Sequence, residues 1–223
     1  LGTKGTLASG DAFDCDVNGD GEYDPETERF YYVSNATNGI TTDNDTVVLI
    51  YYSNVSVGVP SNSTTYAYDE SNENWHGPVT AIKQLPTTDQ WKTTLTNTKR
   101  QITTETGTTS TSGGTLPTAF SYEGYAARLL TAQEVNAGCG FTVGSYKTGE
   151  LSTKCKYLME NTKYSNASNK AYGEWLESPH AASSNYVWYV NGSYRDVYNY
   201  DANNADYYGV RPAIEVSKSD ISY

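Results

Sequence analysis

The chain has 223 residues, and 26 acidic against 15 basic side chains give it a formal net charge of −11. A surface of that sign cannot neutralise phosphates, so nucleic acid is excluded as an expected partner. The length suffices for one large or two small domains with a real core. Charged residues make up only 18%, and the aromatic share is carried by 21 Tyr against 4 Phe and 4 Trp. A Tyr ring packs like a hydrophobe and keeps a polar tip, so it serves equally as strand filler and as an adhesive surface.

In chain order, the first fifty residues read as β. "DAFDCDVNGDGEYD" passes through a Gly-rich turn into "ERFYYVS", and "TVVLIYYS" (Thr46–Ser53) follows as a buried strand. Within the first turn, Asp16, Asn18, Asp20 and Gly21 fall at positions 1, 3, 5 and 6 of an EF-hand-type calcium loop. Position 12 is Thr27 rather than the bidentate Glu, and no helical pattern flanks the loop. A hairpin tip of turn-forming residues is therefore preferred to a calcium site at Asp16, Asn18 and Asp20. A polar loop from Asn54 to Glu73 leads to two short helices, one around Val79, Ile82 and Leu85 and another around Trp91 and Leu95. "ETGTTSTSGGT" (Glu105–Thr115) reads as a low-complexity loop. Ala126–Leu130 reads as a strand, and the next segment as a helix capped by Thr131 with Glu134 in a capping box and Gly138 as its terminator. "STKCKYLMENT", opened by Ser152 or Thr153, is a second short helix. From Gly173 on, "GEWLES", "YVWYV", "RDVYNY" and "YGVRPAIEVS" are short strands, with "NGS" (Asn191–Ser193) closing a hairpin. Trp175, Leu176, Trp188, Val190, Val210 and Ile214 alternate as core on these strands, as Leu129, Leu130, Val135 and Leu158 do before them. No internal repeat divides the chain. The division is an N-terminal β-rich extension over 1–74, separate or integral, and a domain over 75–223.

Chemistry-bearing motifs are few. Of three cysteines, Cys139 and Cys155 bracket a short segment and are the disulfide candidate, which leaves Cys15 over. His76 and His180 are the only imidazoles, and no Cys-His spacing matches a metal site. No G-x-S-x-G or glycine-rich phosphate loop occurs, so no catalytic residue, enzyme activity or cofactor is expected. Low charge with abundant Thr, Ser and Asn is typical of secreted β-proteins. N-x-[S/T] sequons at Asn35, Asn44, Asn54, Asn62, Asn166 and Asn191 are too easily met in so Asn-rich a chain to predict glycans. The chain begins at Leu1 and has no apolar run of membrane-spanning length, so an export or anchoring segment is expected to have been removed.

The segment Ala181–Tyr208 stands apart: seven Tyr, five Asn, three Asp and three Ser, with no Lys, Glu or Gln. Around it, "GYAARLLTAQE", "YLMENT", "WLESP" and "GVRPAIEVSKSDI" resemble a family of bacterial and archaeal extracellular domains with a C-type-lectin-like fold, over roughly Tyr122–Ile221. The resemblance implies an α+β domain with a small twisted antiparallel sheet, two helices and long loops. Within that fold group are the variable proteins of diversity-generating retroelements, in which an error-prone reverse transcriptase rewrites adenines in a C-terminal variable region. An Asn codon changed at one adenine yields Tyr, Asp, His, Ser, Thr or Ile, so the Tyr, Asn, Asp and Ser excess has the composition such rewriting leaves. The Glu-Pro-Asn, Gln-Pro-Asp and Trp-Asn-Asp motifs of calcium-dependent sugar binders are missing, and so is the C-terminal cysteine pair of the distantly similar formylglycine-generating enzymes.

The expectation is a non-enzymatic display protein, extracellular or on a cell or virion surface, that binds a protein or glycan on another surface. A fixed-specificity adhesin or pilin-like subunit, anchored through a missing N-terminal segment, is the alternative. The expected binding face comprises Asn185, Tyr186, Tyr189, Tyr194, Arg195, Asp196, Tyr198, Asn199, Tyr200, Asn203, Asn204, Asp206 and Tyr207. Tyr208, beside the last strands, is expected to be structural.

Overall fold

The computed structural model describes residues 5–101, 119–140, 155–159, 171–192 and 194–223. The low-complexity loop and the start of the second helix lie outside them. The described chain is sheet-rich α+β. Strands β1 (Ala12–Asp14), β2 (Arg29–Thr37) and β3 (Thr42–Tyr51) are followed by the two-residue strands β4 (Val55–Ser56) and β5 (Val59–Pro60) and by β6 (Lys99–Gln101) and β7 (Ala119–Ser121). Helices α1 (Ala132–Cys139) and α2 (Lys156–Met159) come next. The chain closes with β8 (Gly173–Pro179), β9 (Tyr186–Asn191), β10 (Asp196–Asp201), β11 (Tyr208–Gly209) and β12 (Ala213–Ser217).

Two four-stranded sheets organise these elements, in the orders β1-β2-β3-β12 and β10-β9-β8-β11. All of their pairings are antiparallel except β8 with β11. In the first sheet β12 pairs with β3, Ile214 opposite Leu49, so the N-terminal residues share a sheet with the last strand. The Gly5 amide also donates to the Tyr223 carbonyl.

β3 explains its own continuous apolar run. Val47, Leu49 and Tyr51 enter one core cluster, with Phe30, Trp91 and Trp175, while Val48 and Ile50 enter a second, with Val135 and Trp188. A strand covered on both faces needs apolar side chains at both parities. β9 is built the same way, with Val187 and Tyr189 in the first cluster and Trp188 and Val190 in the second.

Several expectations differ from the structure for identifiable reasons. Thr131 and Glu134 do form the capping box, but α1 runs through Gly138 and ends at Gly140, whose φ of 71° supplies the left-handed cap. Gly138 is needed for close approach, since a Cβ there would sit 2.5 Å from the Val33 carbonyl oxygen of β2. Around Ile82 only a 3-10 turn forms, Ala81–Gln84. Trp91 and Leu95 are core residues without a helix, because Thr93, Thr94 and Thr96 are β-branched. The Thr93 hydroxyl donates to the Ala126 carbonyl instead. Residues 126–130 are buried but make only an isolated bridge, Arg128 with Ala213. The amides of Ala126 and Glu177 bond the Pro86 and Leu130 carbonyls, so the segment staples elements together rather than joining a sheet.

Three arginines lie in the core, each with carboxylate partners. Arg100 forks onto Glu177, Arg128 onto Glu134 and Glu215, and Arg211 onto Glu174. Arg211 also donates to the carbonyls of Tyr51, Leu158 and Tyr157, tying the start of β12 to β3 and α2. Glu174 and Arg211 are 37 residues apart, so no local sequence pattern identifies the pair.

Candidate ligand-binding face

The hairpin β9–β10 carries most of the Tyr-rich segment. Its register sets Asn191 opposite Asp196, Tyr189 opposite Tyr198 and Val187 opposite Tyr200. Opposed residues share a face, so Tyr189, Tyr198 and Tyr200 project to one side while Trp188, Val197 and Asn199 project to the other. The hairpin turn is closed by the Asn191 side-chain oxygen, which accepts from the Tyr194 amide at 2.9 Å. Arg195 adopts a left-handed φ of 56°.

After β10 the chain loops out and returns at β11, held largely by its backbone. The Ala202 carbonyl accepts the amides of Tyr68 and Asp69, and the Ala202 amide reaches the Asn185 carbonyl. Farther along, the carbonyls of Tyr207 and Tyr208 accept the amides of Tyr172 and Tyr66. Side-chain ties supplement these, among them the Thr65 hydroxyl donating to the Ala205 carbonyl and Asn72 accepting the Asn203 amide. Asn204 accepts the amides of Asp206 and Tyr207, and the Asn185 amide group donates to Asp201 at 2.6 Å.

Between hairpin and loop lies a cavity of about 230 Å³ whose lining is almost wholly Tyr. Tyr189 and Tyr208, stacked at 3.9 Å, are its buried floor, and Tyr172, Tyr200 and Tyr207 its walls. Tyr194, 74% exposed, stands at the rim, and Asn191 completes the lining. Burial raises the Tyr189 and Tyr208 hydroxyls above the ordinary Tyr range, so both stay protonated donors.

The thirteen expected face residues therefore divide. Tyr194, Arg195, Tyr200, Asn203, Asp206 and Tyr207 are exposed, and Asn185, Tyr186, Asp196, Tyr198 and Asn204 are half-buried. Asn199 is a correction: at 4% exposure it belongs to the inner face of β10, beside Trp188 and away from the Tyr side. Tyr189 is corrected as well, since at 5% exposure it is core packing against Trp175 and reaches the outside only through the cavity. Tyr172, Asn191 and Tyr208 join the lining without having been assigned to the face. The missing signal is the pairing of Gly173 with both Asn191 and Tyr208, a long-range register that no local pattern reveals.

Other candidate chemistry resolves into structure. Asp16 turns its carboxylate onto the amides of Gly19, Asp20 and Gly21, and Asn18 and Asp20 accept the amides two residues on. Thr27 donates to Asp24. The turn is held by its own acids, and among the described residues no group of three His, Cys, Asp or Glu is placed to hold a metal ion. His76 Nδ1 meets Asp69 at 2.8 Å and Ser71 at 3.1 Å. Hydroxyl and carboxylate thus share one ring nitrogen, whereas a proton relay needs one on each. Burial works against ionisation of Asp69, but hydrogen bonds from Ser71 and His76 outweigh it and hold the carboxyl low. His180 is buried, its ring 5.2 Å from that of Trp188, and its Nδ1 accepts the Ala182 amide. Cys139 and Cys155 are disulfide-bonded, joining the end of α1 to the start of α2, and Cys15 is free.

Comparison of the chain with family models, with curated proteins and with solved structures returned no match.

Proposed function

We propose that the protein is a non-enzymatic ligand-binding display protein of C-type-lectin-like fold, working outside the cell or on a cell or virion surface. Its β9–β10 hairpin and the following loop form the binding face. The observation that carries this reading is the division of labour within Ala181–Tyr208. Trp188, Val190 and Val197 are buried in the core, while Tyr194, Tyr200 and Tyr207 stand exposed at one Tyr-lined cavity and Asn203 and Asp206 are exposed on the loop that follows β10. Substitution at exposed positions away from special features costs within about 0.5 kcal/mol, so such a face tolerates exchange of its contacts. Tyr supplies broad amphipathic contact, and Asn and Asp adapt their hydrogen bonds, as in antibody loops. Composition adds that Tyr, Asn, Asp and Ser are the residues adenine rewriting of Asn codons leaves behind. In this reading the face is diversified by a retroelement, and its targets are proteins or glycans that differ between copies.

The test is a library randomised at Tyr194, Tyr200, Asn203, Asp206 and Tyr207, scored for folding by protease resistance and then selected against surface proteins and glycans. Most members should fold, and binders of new specificity should emerge. A library that mostly unfolds would refute the display reading. At the gene, a neighbouring reverse transcriptase and a template repeat differing only at adenines are expected. Their absence would leave the fixed-specificity adhesin as the better account.

A further inference from the structure

We infer that the Tyr-lined cavity is an aromatic cage for a quaternary ammonium group. This rests on the binding-face reading above and names the chemistry of its central subsite. Tyr200, Tyr207 and Tyr208 stand nearly perpendicular to one another: 76° between Tyr200 and Tyr207, 63° between Tyr200 and Tyr208, and 77° between Tyr207 and Tyr208. Their centroids lie 5.8, 6.0 and 6.2 Å apart. Three rings so disposed form the corner of a box, and all three line the cavity. A ring face is the negative pole of the aromatic quadrupole, and it attracts a cation held within about 6 Å of the centroid.

Size and charge narrow the occupant. At about 230 Å³ the cavity is smaller than a pocket for a drug-sized molecule and admits one compact group. A sugar ring of similar bulk is commonly fixed by amides and acids as well as by hydroxyls and ring faces, and Asn191 is the single amide or acid in the lining. Arg195 is the one basic residue between Ala181 and Tyr208, and it does not line the cavity. The charge of Asp196 adds to burial in raising the pKa of both Tyr189 and Tyr208, so the floor lies in a negative field. A group that is apolar on its outside yet positive overall satisfies all of these conditions. Trimethylammonium is such a group, because its charge needs no hydrogen-bond acceptor.

The experiment titrates the full chain with choline and, separately, with its neutral carbon isostere 3,3-dimethylbutan-1-ol, following Tyr ring resonances and heat. Choline should bind at least about fivefold more tightly than the isostere. Tyr200→Leu and Tyr207→Leu, at positions 38% and 37% exposed, should each weaken choline about fivefold or more with thermal unfolding unchanged. Tyr207→Phe should retain binding, as should Asn203→Ala outside the cavity. Phosphocholine should bind more weakly than choline, since its phosphate enters the same negative field. Equal binding of choline and isostere, no binding of either, or choline binding that survives loss of the Tyr207 ring would each overturn the cage. So would phosphocholine binding more tightly than choline. Failure of the cage with success of the randomised library would leave the display reading standing, so the two fail separately.

Discussion

Glu174 lies in β8, beside the β9–β10 hairpin in the same sheet and paired in register with Val190. It is fully buried, 3.3 Å from Arg211, and its Oε2 has no hydrogen-bond partner among the described residues. Burial outweighs the attraction of Arg211 and raises its carboxyl from 4.5 to about 7. Burial likewise lowers Arg211, so both members of the pair are pushed toward neutrality. The sign follows from proton uptake. The folded state holds a proton that the unfolded state releases at about 4.5, so this stabilisation is complete below that pH and is lost as pH rises through about 7. Each tenfold change in proton affinity is worth about 1.4 kcal/mol, so the full effect is roughly 3 kcal/mol. For a chain of this length that corresponds to about 6–12 °C in melting temperature. Glu174→Gln keeps the shape and cannot ionise, and all other acids remain common to both proteins. Melting curves by near-UV circular dichroism should place the variant progressively above the wild type as pH goes from 4.5 to 8. Parallel curves would refute the argument. A variant that falls relative to the wild type would show that the ion pair outweighs desolvation.

Other perturbations have definite expected outcomes. Arg128→Met strands Glu134 and Glu215, which it now meets at 2.5 and 2.8 Å, and should cost about 3–5 kcal/mol in urea unfolding at neutral pH. Burial raises the Glu134 carboxyl but Arg128 more than offsets it and holds the carboxyl low, so that contribution is present above 4.5 and lost as pH falls; the penalty should shrink in acid. Replacing both Cys139 and Cys155 by Ser opens a closed segment of separation 16 and should destabilise by about 3 kcal/mol in thermal melts. Cys15, pushed up to about 12 first by burial and then by Asp14 and Glu28, should resist a disulfide reagent at pH 8 until urea is added. Gly173→Ala would place a Cβ 1.7 Å from the Val190 carbonyl oxygen, so it should disrupt the β8–β9 pairing and lower expression of folded protein.

Local chemistry made some elements legible and long-range register hid others. The capping box at Thr131 and Glu134 is a four-residue pattern, and the hairpin strands alternate within six residues. Trp188 and Val190 could therefore be assigned to the core from sequence. The burial of Tyr189 could not, because alternation gives opposite faces and does not say that both are covered. The β8–β11 pairing closes that second face with Trp175 and Tyr208. The cavity escaped for the same reason, as Tyr172 and Tyr207 are adjacent only because β8 and β11 run side by side. The ion pairs of the three buried arginines are mostly hidden locally, since Arg211 and Glu174 are 37 residues apart, Arg100 and Glu177 are 77 apart and Arg128 and Glu215 are 87 apart, and only the Arg128–Glu134 contact spans a short separation of 6.

How freely the face can change is set by which of its anchors are backbone. The loop after β10 is tied through the Ala202, Tyr207 and Tyr208 carbonyls, and these bonds persist whatever side chains stand at Asn203 and Asp206. Asn204 and the Asn185–Asp201 pair differ, because there the side chain is itself the tie. Arg195 is constrained in another way: its left-handed backbone is tolerated best by Gly, Asn and Asp. Two of those three are Asn and one of its single-adenine products. In a library that also randomises Arg195 and Asn204, retained members should therefore keep Asn204, favour Asn, Asp or Gly at position 195, and vary widely at positions 194, 203 and 206. Uniform tolerance across all of these positions would show that backbone bonds alone hold the loop.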